Sequence, residues 1–248
     1  MAPEYCEEKS FKYQILNLDI PNPPDDLSYV DFEDYRNREI LTANKITATS
    51  EAELMAALDA QTNVLQAAAA HILGKLASKA AIPTLRNLLS SSEDLVKVEA
   101  AYALARSGVP EGKDILVQCL GYPLDAYLFP AIAAGYLAQL GDPQGFKTIF
   151  SCFNVDVAAI RMLACKQLYF FVPFSGEHDR DGNAMDVYHL FDRALKDSDT
   201  NVQWQALVQL REIRSLNARK ILGSYIEKTA DEQLSGVAKK ILERIVGG

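Results

Sequence analysis

Histidine, cysteine and tryptophan are scarce in this chain: three, four and one, respectively, among 248 residues. The histidines, His71, His178 and His189, are far apart, so a metal site would need distant segments to converge, and none is expected. They read as one helix-surface, one loop and one groove histidine. Cys6, Cys119, Cys152 and Cys165 have no CxxC spacing, which excludes a zinc ribbon or dithiol motif and makes free thiols in a reducing compartment the expectation. Positive charge is also short. A formal net charge of −8 and a pI near 5.0 count against a sequence-independent hold on nucleic acid or anionic lipid, both of which need a surplus of Lys and Arg. No run of 18 apolar residues exists, and the start "MAPEYCEEKS" lacks a basic-then-apolar pattern, so a soluble, cytoplasmic chain is expected. Glycine-rich phosphate loops, a Ser/His/Asp order and paired-carboxylate motifs are missing too, and no catalytic residue is assigned.

What the chain does have is a repeat. With 49% hydrophobic residues it can bury a sizeable core. The strings "LQAAAAHILGKL", "VEAAYALARSG" and "FPAIAAGYLAQLG" share a leucine that continues as a column: Leu73, Leu104, Leu137, Leu168, Leu210 and Leu242. The intervals are 31, 33, 31, 42 and 32 residues. Just before the column lie Ala69-Ala70, Ala100-Ala101, Ala133-Ala134, Ala164-Cys165, Ala206-Leu207 and Ala238-Lys239, small residues where one helix must approach another closely. Twelve residues after the first three leucines, and after Leu210, stand Leu85, Leu116, Ile149 and Leu222, each inside a second pattern of helical three- and four-residue spacing. Gly108 and the "GDP" at Gly141–Pro143 supply a helix stop and restart, and Pro83 falls in a first helical turn. A unit of roughly 31 residues cannot bury its own apolar face, whereas stacked copies can. The expected fold is all-α, an α-solenoid of helical hairpins.

"LQAAAAHILGKLASKAAIPTLRNLL" and "VKVEAAYALARSGVPEGKDILVQCL" resemble HEAT-like repeats, specifically the short variety of the E/F-type phycobilin lyases and their cyanobacterial relatives. The resemblance runs from about Thr47 to the C-terminus and rests mostly on core positions. It differs from two other helical solenoids. Deoxyhypusine hydroxylases hold two irons with repeated His-Glu dyads, and here only the reversed Glu177-His178 occurs; DNA-alkylation-repeat glycosylases need a basic face, against which the charge counts.

The pattern breaks twice. The 42-residue interval holds about eleven extra residues, placed at "VPFSGEHDRDGNAMD" (Val172–Asp186) as a polar loop between the helices of the fourth repeat. "DRDGN" resembles the start of a calcium loop, but the twelfth position from Asp179 is Leu190 rather than a bidentate Glu, so a solvated loop or a partner-contacting rim is favoured. Residues 1–45 do not join the repeat and hold ten acids against five bases. Pro21, Pro23, Pro24 and Asp25-Asp26 suggest an extended stretch, and "SYVDFEDYRNREIL" a helix carrying Tyr29, Phe32 and Tyr35. Two readings stand: a cap over the solenoid end, and a mobile acidic arm that binds a partner. The expected domains are residues 1–45 and the solenoid 46–248. "SEAELMAAL" reads as the second helix of an incomplete first repeat, with Ser50 and Glu53 in a capping-box relation. Cys119, Cys152 and Cys165 read as small buried hydrophobes, and Trp204 as core or subunit-contact packing.

HEAT-like repeats imply that the second helices line a concave face. With Ile82, Leu85 and Leu89 as core, positions 83 and 87 turn outward. The equivalent columns are Pro83, Asp114, Lys147, His189 and Lys220, and Asn87, Gln118, Ser151, Arg193 and Ser224. The groove-binding candidates are thus Asp114, Gln118, Lys147, Ser151, His189, Arg193, Lys220 and Ser224. Two functions follow. One is a non-catalytic protein-binding module, a scaffold or assembly and maturation factor without a cofactor, whose partner is another protein such as a phycobiliprotein subunit. The other, implied by the resemblance, is a bilin lyase or lyase subunit that binds phycocyanobilin or a related linear tetrapyrrole and attaches it to a phycobiliprotein cysteine, with Lys147, Arg193 and Lys220 facing the bilin propionates. Oligomeric state is not legible.

Overall fold

A computed structural model describes residues 29–60, 62–124, 128–179 and 181–247. Cys6 and the proline-bearing stretch at Pro21–Asp26 lie outside the described residues, as do the side chains of Tyr29, Phe32 and Tyr35. Among the described residues there are thirteen α-helices and no strand beyond one isolated bridge. The chain divides into two compact units, one ending at Lys113 and the other beginning at Asp114.

The first unit opens with α1 (Tyr29–Ala43) and α2 (Glu51–Leu58), both packed on α3 (Asn63–Lys75). α3 lies along α5 (Asp94–Arg106), and α4 (Ile82–Leu88) packs against α5. The sequence boundary near residue 45 falls inside this unit, because Leu41 of α1 is fully buried beside Leu54, Leu58, Leu73 and Leu104. α2 starts as its sequence predicts: the Glu53 amide donates to Ser50 Oγ at 3.4 Å. The Glu53 carboxylate, however, accepts from the Thr47 amide at 2.6 Å rather than from Ser50.

The second unit holds most of α6 (Pro110–Cys119), then α7 (Phe129–Gln139), α8 (Phe146–Cys152), α9 (Ala158–Leu168), α10 (Val187–Ala194), α11 (Thr200–Ile213), α12 (Leu216–Lys228) and α13 (Glu232–Gly247). α9 packs between α7 and α11, with α8 and α10 against it, and α12 and α13 close the stack. The fold is an all-α solenoid of helical hairpins: each leucine of the column from Leu73 to Leu210 is fully buried, as are their second-helix counterparts Leu85, Leu116, Ile149 and Leu222.

The small-residue pairs set how closely helices approach. Of the twelve positions, eleven are fully buried and only Lys239 is exposed. A Cβ added at Gly74 of α3 would lie 2.6 Å from Ala103 Cα of α5, and one at Gly145 would lie 2.6 Å from Ala134 Cα of α7. Backbones therefore touch where the sequence places Ala and Gly. Gly108 (φ +82°) and Gly141 (φ +79°) end helices in the left-handed region that side chains rarely adopt.

Two expectations are corrected. His71 is not on a helix surface: it is 4% exposed, and its Nδ1 lies 3.1 Å from Glu99 Oε2 across the α3–α5 contact. A polar side chain at that depth is tolerated because it has a partner. Of the two readings of Trp204, core packing is overturned, since 46% of its surface is exposed on α11; subunit-contact packing is the one left standing. Cys119, Cys152 and Cys165 are buried and form no disulfide, and burial pushes the Cys152 thiol up to about 12 and that of Cys165 upward as well.

Candidate functional site

The second helices of the second unit carry the candidate residues on their outward sides. Helical geometry places residues 3 and 4 apart on one face, so core leucines on one side leave the opposite side to solvent. Asp114 and Gln118 are exposed on α6; Lys147 is exposed and Ser151 half-buried on α8. His189 is exposed and Arg193 half-buried on α10, while Lys220 is exposed and Ser224 half-buried on α12. In the first unit Pro83 and Asn87 are exposed on α4.

Three of these residues come together around α10, which separates two clefts. The first, of about 480 Å³, lies between α10 and the turn after α8 and includes His189, Asp192, Arg193, Arg161 and Asp197. The second, of about 660 Å³, lies between α10, α12 and the insertion, with Met185, Tyr188, His189, Asp192, Lys220 and Ile221 among its walls. His189 and Asp192 belong to both. Neither cleft is lined by Asp114, Gln118, Lys147, Ser151 or Ser224.

The charges of the first cleft are largely engaged. Arg161 Nε and Nη2 donate to the two oxygens of Asp197 at 2.7 and 2.9 Å, and Nη1 donates to the Val155 carbonyl at 2.9 Å. Burial alone would raise the Asp197 carboxyl, but the Arg161 fork and the Asp199 amide hold it below the usual carboxylate range. Arg193 Nη2 donates to the Phe153 carbonyl and to Asn154 Oδ1, both at 2.8 Å, and its guanidinium stands 5.9 Å from the Phe153 ring centroid. Lys196 binds Asp192 one turn back on α10.

The described residues of the insertion pair as a hairpin. Gly176 donates to the Met185 carbonyl at 3.1 Å, Met185 to that of Glu177 at 2.8 Å, and Asp179 to that of Asn183 at 2.9 Å. At the tip, Asp179 Oδ1 accepts from the amides of Asn183 (2.8 Å) and Asp181 (3.0 Å), the Asx geometry that closes a tight turn. The Asn183 amide first, and these neighbours with it, hold the Asp179 carboxyl below its usual range. Met185 is fully buried and anchors the hairpin, while Lys147 Nζ meets Asp181 Oδ2 at 3.0 Å. Asp179 thus spends its carboxylate on the amides of Asp181 and Asn183.

Of the three cations expected to face propionates, Lys147 is occupied by Asp181 and Arg193 by Phe153 and Asn154, whereas Lys220 has no hydrogen-bond or ion-pair partner among the described residues. Sequence reasoning missed Arg161 and Asp197, which come from a first helix and a connection 36 residues apart. It also missed Tyr188, Asn217 and Ile221, whose one readable signal is that they neighbour His189 and Lys220 on the same helices. Among the described residues no group of three or more His, Cys, Asp or Glu side chains is arranged to hold a metal ion, and no helix is long and apolar enough to cross a membrane.

A family model for HEAT repeats matches residues 51–134. No curated protein matches the chain. Among solved structures, the chain is similar to the complex of CpcE and CpcF of phycocyanin lyase from Nostoc sp. PCC7120, at 18% identity, covering 94% of both chains with a TM-score of 0.47. It is similar to human deoxyhypusine hydroxylase at 15% identity, covering 98% of both chains with a TM-score of 0.34. An engineered protein aligns at 20% identity over 81% of this chain and 100% of its own, with a TM-score of 0.43. The matched stretch is a run of HEAT repeats, and helical hairpins of the same kind continue beyond it in the structure.

Proposed function

We propose that this protein is a non-catalytic HEAT-repeat binding module, a scaffold or assembly and maturation factor that holds another protein on the outward side of its second helices. One observation carries the reading: the outward columns of α6, α8, α10 and α12 are exposed or half-buried, polar and of both charge signs, and three of their residues, His189, Arg193 and Lys220, line two open clefts at α10. Repeat folds put binding on such surfaces and leave the core to packing. A phycobiliprotein subunit in a cyanobacterial cytoplasm is the partner that the resemblance of the repeat strings suggests.

A second reading has its own support. The cleft of about 660 Å³ is of a size that takes a small molecule, and unengaged Lys220 at its wall suits a propionate of a linear tetrapyrrole. Under this reading the protein presents the bilin to a cysteine on its substrate.

Titration of the protein with phycocyanobilin, followed by absorbance and fluorescence with and without an apo-phycobiliprotein subunit, separates the two. A complex with the subunit and no bilin spectral change supports the module. A red-shifted, saturable bilin complex whose pigment passes to the subunit replaces it with the lyase reading.

A further inference from the structure

The insertion forms a wall of the larger cleft, and the capacity left open in that cleft says what it can take. Asp186 Oδ1 is engaged in capping the His189 amide at 2.9 Å, Asp192 binds Lys196, and the Tyr188 hydroxyl pairs with Ser215 Oγ at 2.9 Å. The polar side chains without such partners among the described residues are the Lys220 ammonium and the Asn217 carboxamide, both exposed on α12, together with the His189 imidazole on α10 and the Ser175 hydroxyl. Beside them are apolar surfaces from Ala184 and Ile221. An occupant that matches has an apolar group for the floor and a carboxylate for the donors on the rim.

We infer that this cleft docks a short extended segment of a partner protein in which an apolar side chain adjoins an aspartate or glutamate. The inference rests on the binding-module reading and names its site and chemistry. A chain segment is favoured over a compact small molecule because the two clefts are open and adjoin at His189 and Asp192, so an extended occupant of one can reach over α10 toward the other. The hairpin supplies a preformed wall through its backbone pairing and the buried Met185, so little ordering cost falls on binding.

The test is an NMR amide titration of the full chain with two capped peptides, Ser-Gly-Phe-Glu-Gly-Ser and its Gln counterpart. Saturable shifts confined to residues 175–192 and 216–221 are expected with the Glu peptide. Binding should weaken at least tenfold with the Gln peptide, or with Lys220→Ala, while Lys220→Arg retains it. Equal binding of the two peptides, or no shifts at this cleft, overturns the inference. Equally tight binding of 3-phenylpropionate also overturns it, in favour of a small-molecule site. Shifts centred on Gln118 or Ser151 instead would overturn this site and leave the binding module standing; an apo-phycobiliprotein subunit that perturbs none of the outward columns would count against the module itself.

Discussion

Gly74 sits where no side chain fits. A methyl group there would press into the backbone of Ala103 at 2.6 Å, and neither helix can yield without disturbing the α3–α5 contact. Gly74→Ala is expected to destabilise the protein by about 1–3 kcal/mol, read as a lower denaturation midpoint in urea; an unchanged midpoint would show that the helices can separate. The pair of Arg161 and Asp197 is the second residue-scale element, with side chains only 11% and 10% exposed. Because the folded carboxyl lies below its ordinary value, its contribution is present above the usual aspartate pKa and is lost as pH falls through the folded value. Asp197→Ala leaves Arg161 buried without its partner and should cost about 3 kcal/mol at neutral pH. The gap from the parent chain should narrow toward pH 2, and a gap constant with pH would refute the assignment.

At the scale of elements, the hairpin makes a sharp prediction. Asp179→Ala removes the acceptor of the Asp181 and Asn183 amides, so those amides should exchange with deuterium much faster while α9 and α10 keep their protection; unchanged exchange would mean that the turn does not depend on the carboxylate. The helices themselves were readable from sequence because their signals are local: apolar residues recur at 3.6-residue spacing, and Gly108 and Gly141 mark the stops. The outward positions followed from the same geometry, and the structure leaves all ten of them outside the core. What spacing could not give was pairing at a distance. His71 reads as a surface residue until Glu99, 28 residues on, is brought against it. The hairpin of the insertion is equally illegible, since it is made by backbone groups that carry no residue signature.

For the whole molecule, the question at the N-terminal end is whether residues 1–45 cap or merely trail. α1 packs on α3, and Leu41 is fully buried among Leu54 and Leu58. Loss of one such side chain is worth about 1.5–3 kcal/mol, which corresponds to roughly 3–12 °C in a chain of this size. Deleting residues 1–45 should therefore lower Tm by several degrees and promote aggregation, measured by calorimetry and light scattering; an unchanged Tm would favour the mobile-arm reading. The division at Lys113 and Asp114 was not visible in the repeat spacing, because it falls within α6 and leaves the column of leucines unbroken.

The hydrogen bond from Gly176 to Met185 carries one more consequence. It holds the Gly176 amide 3.1 Å from the Met185 carbonyl, so the tip of the insertion, from Gly176 to Met185, springs from a narrow base. Everything between is a replaceable head on a fixed neck. A hairpin of different length or charge could be exchanged there without moving α9 or α10, so the same scaffold could be given a new recognition preference by changing one short stretch of its sequence.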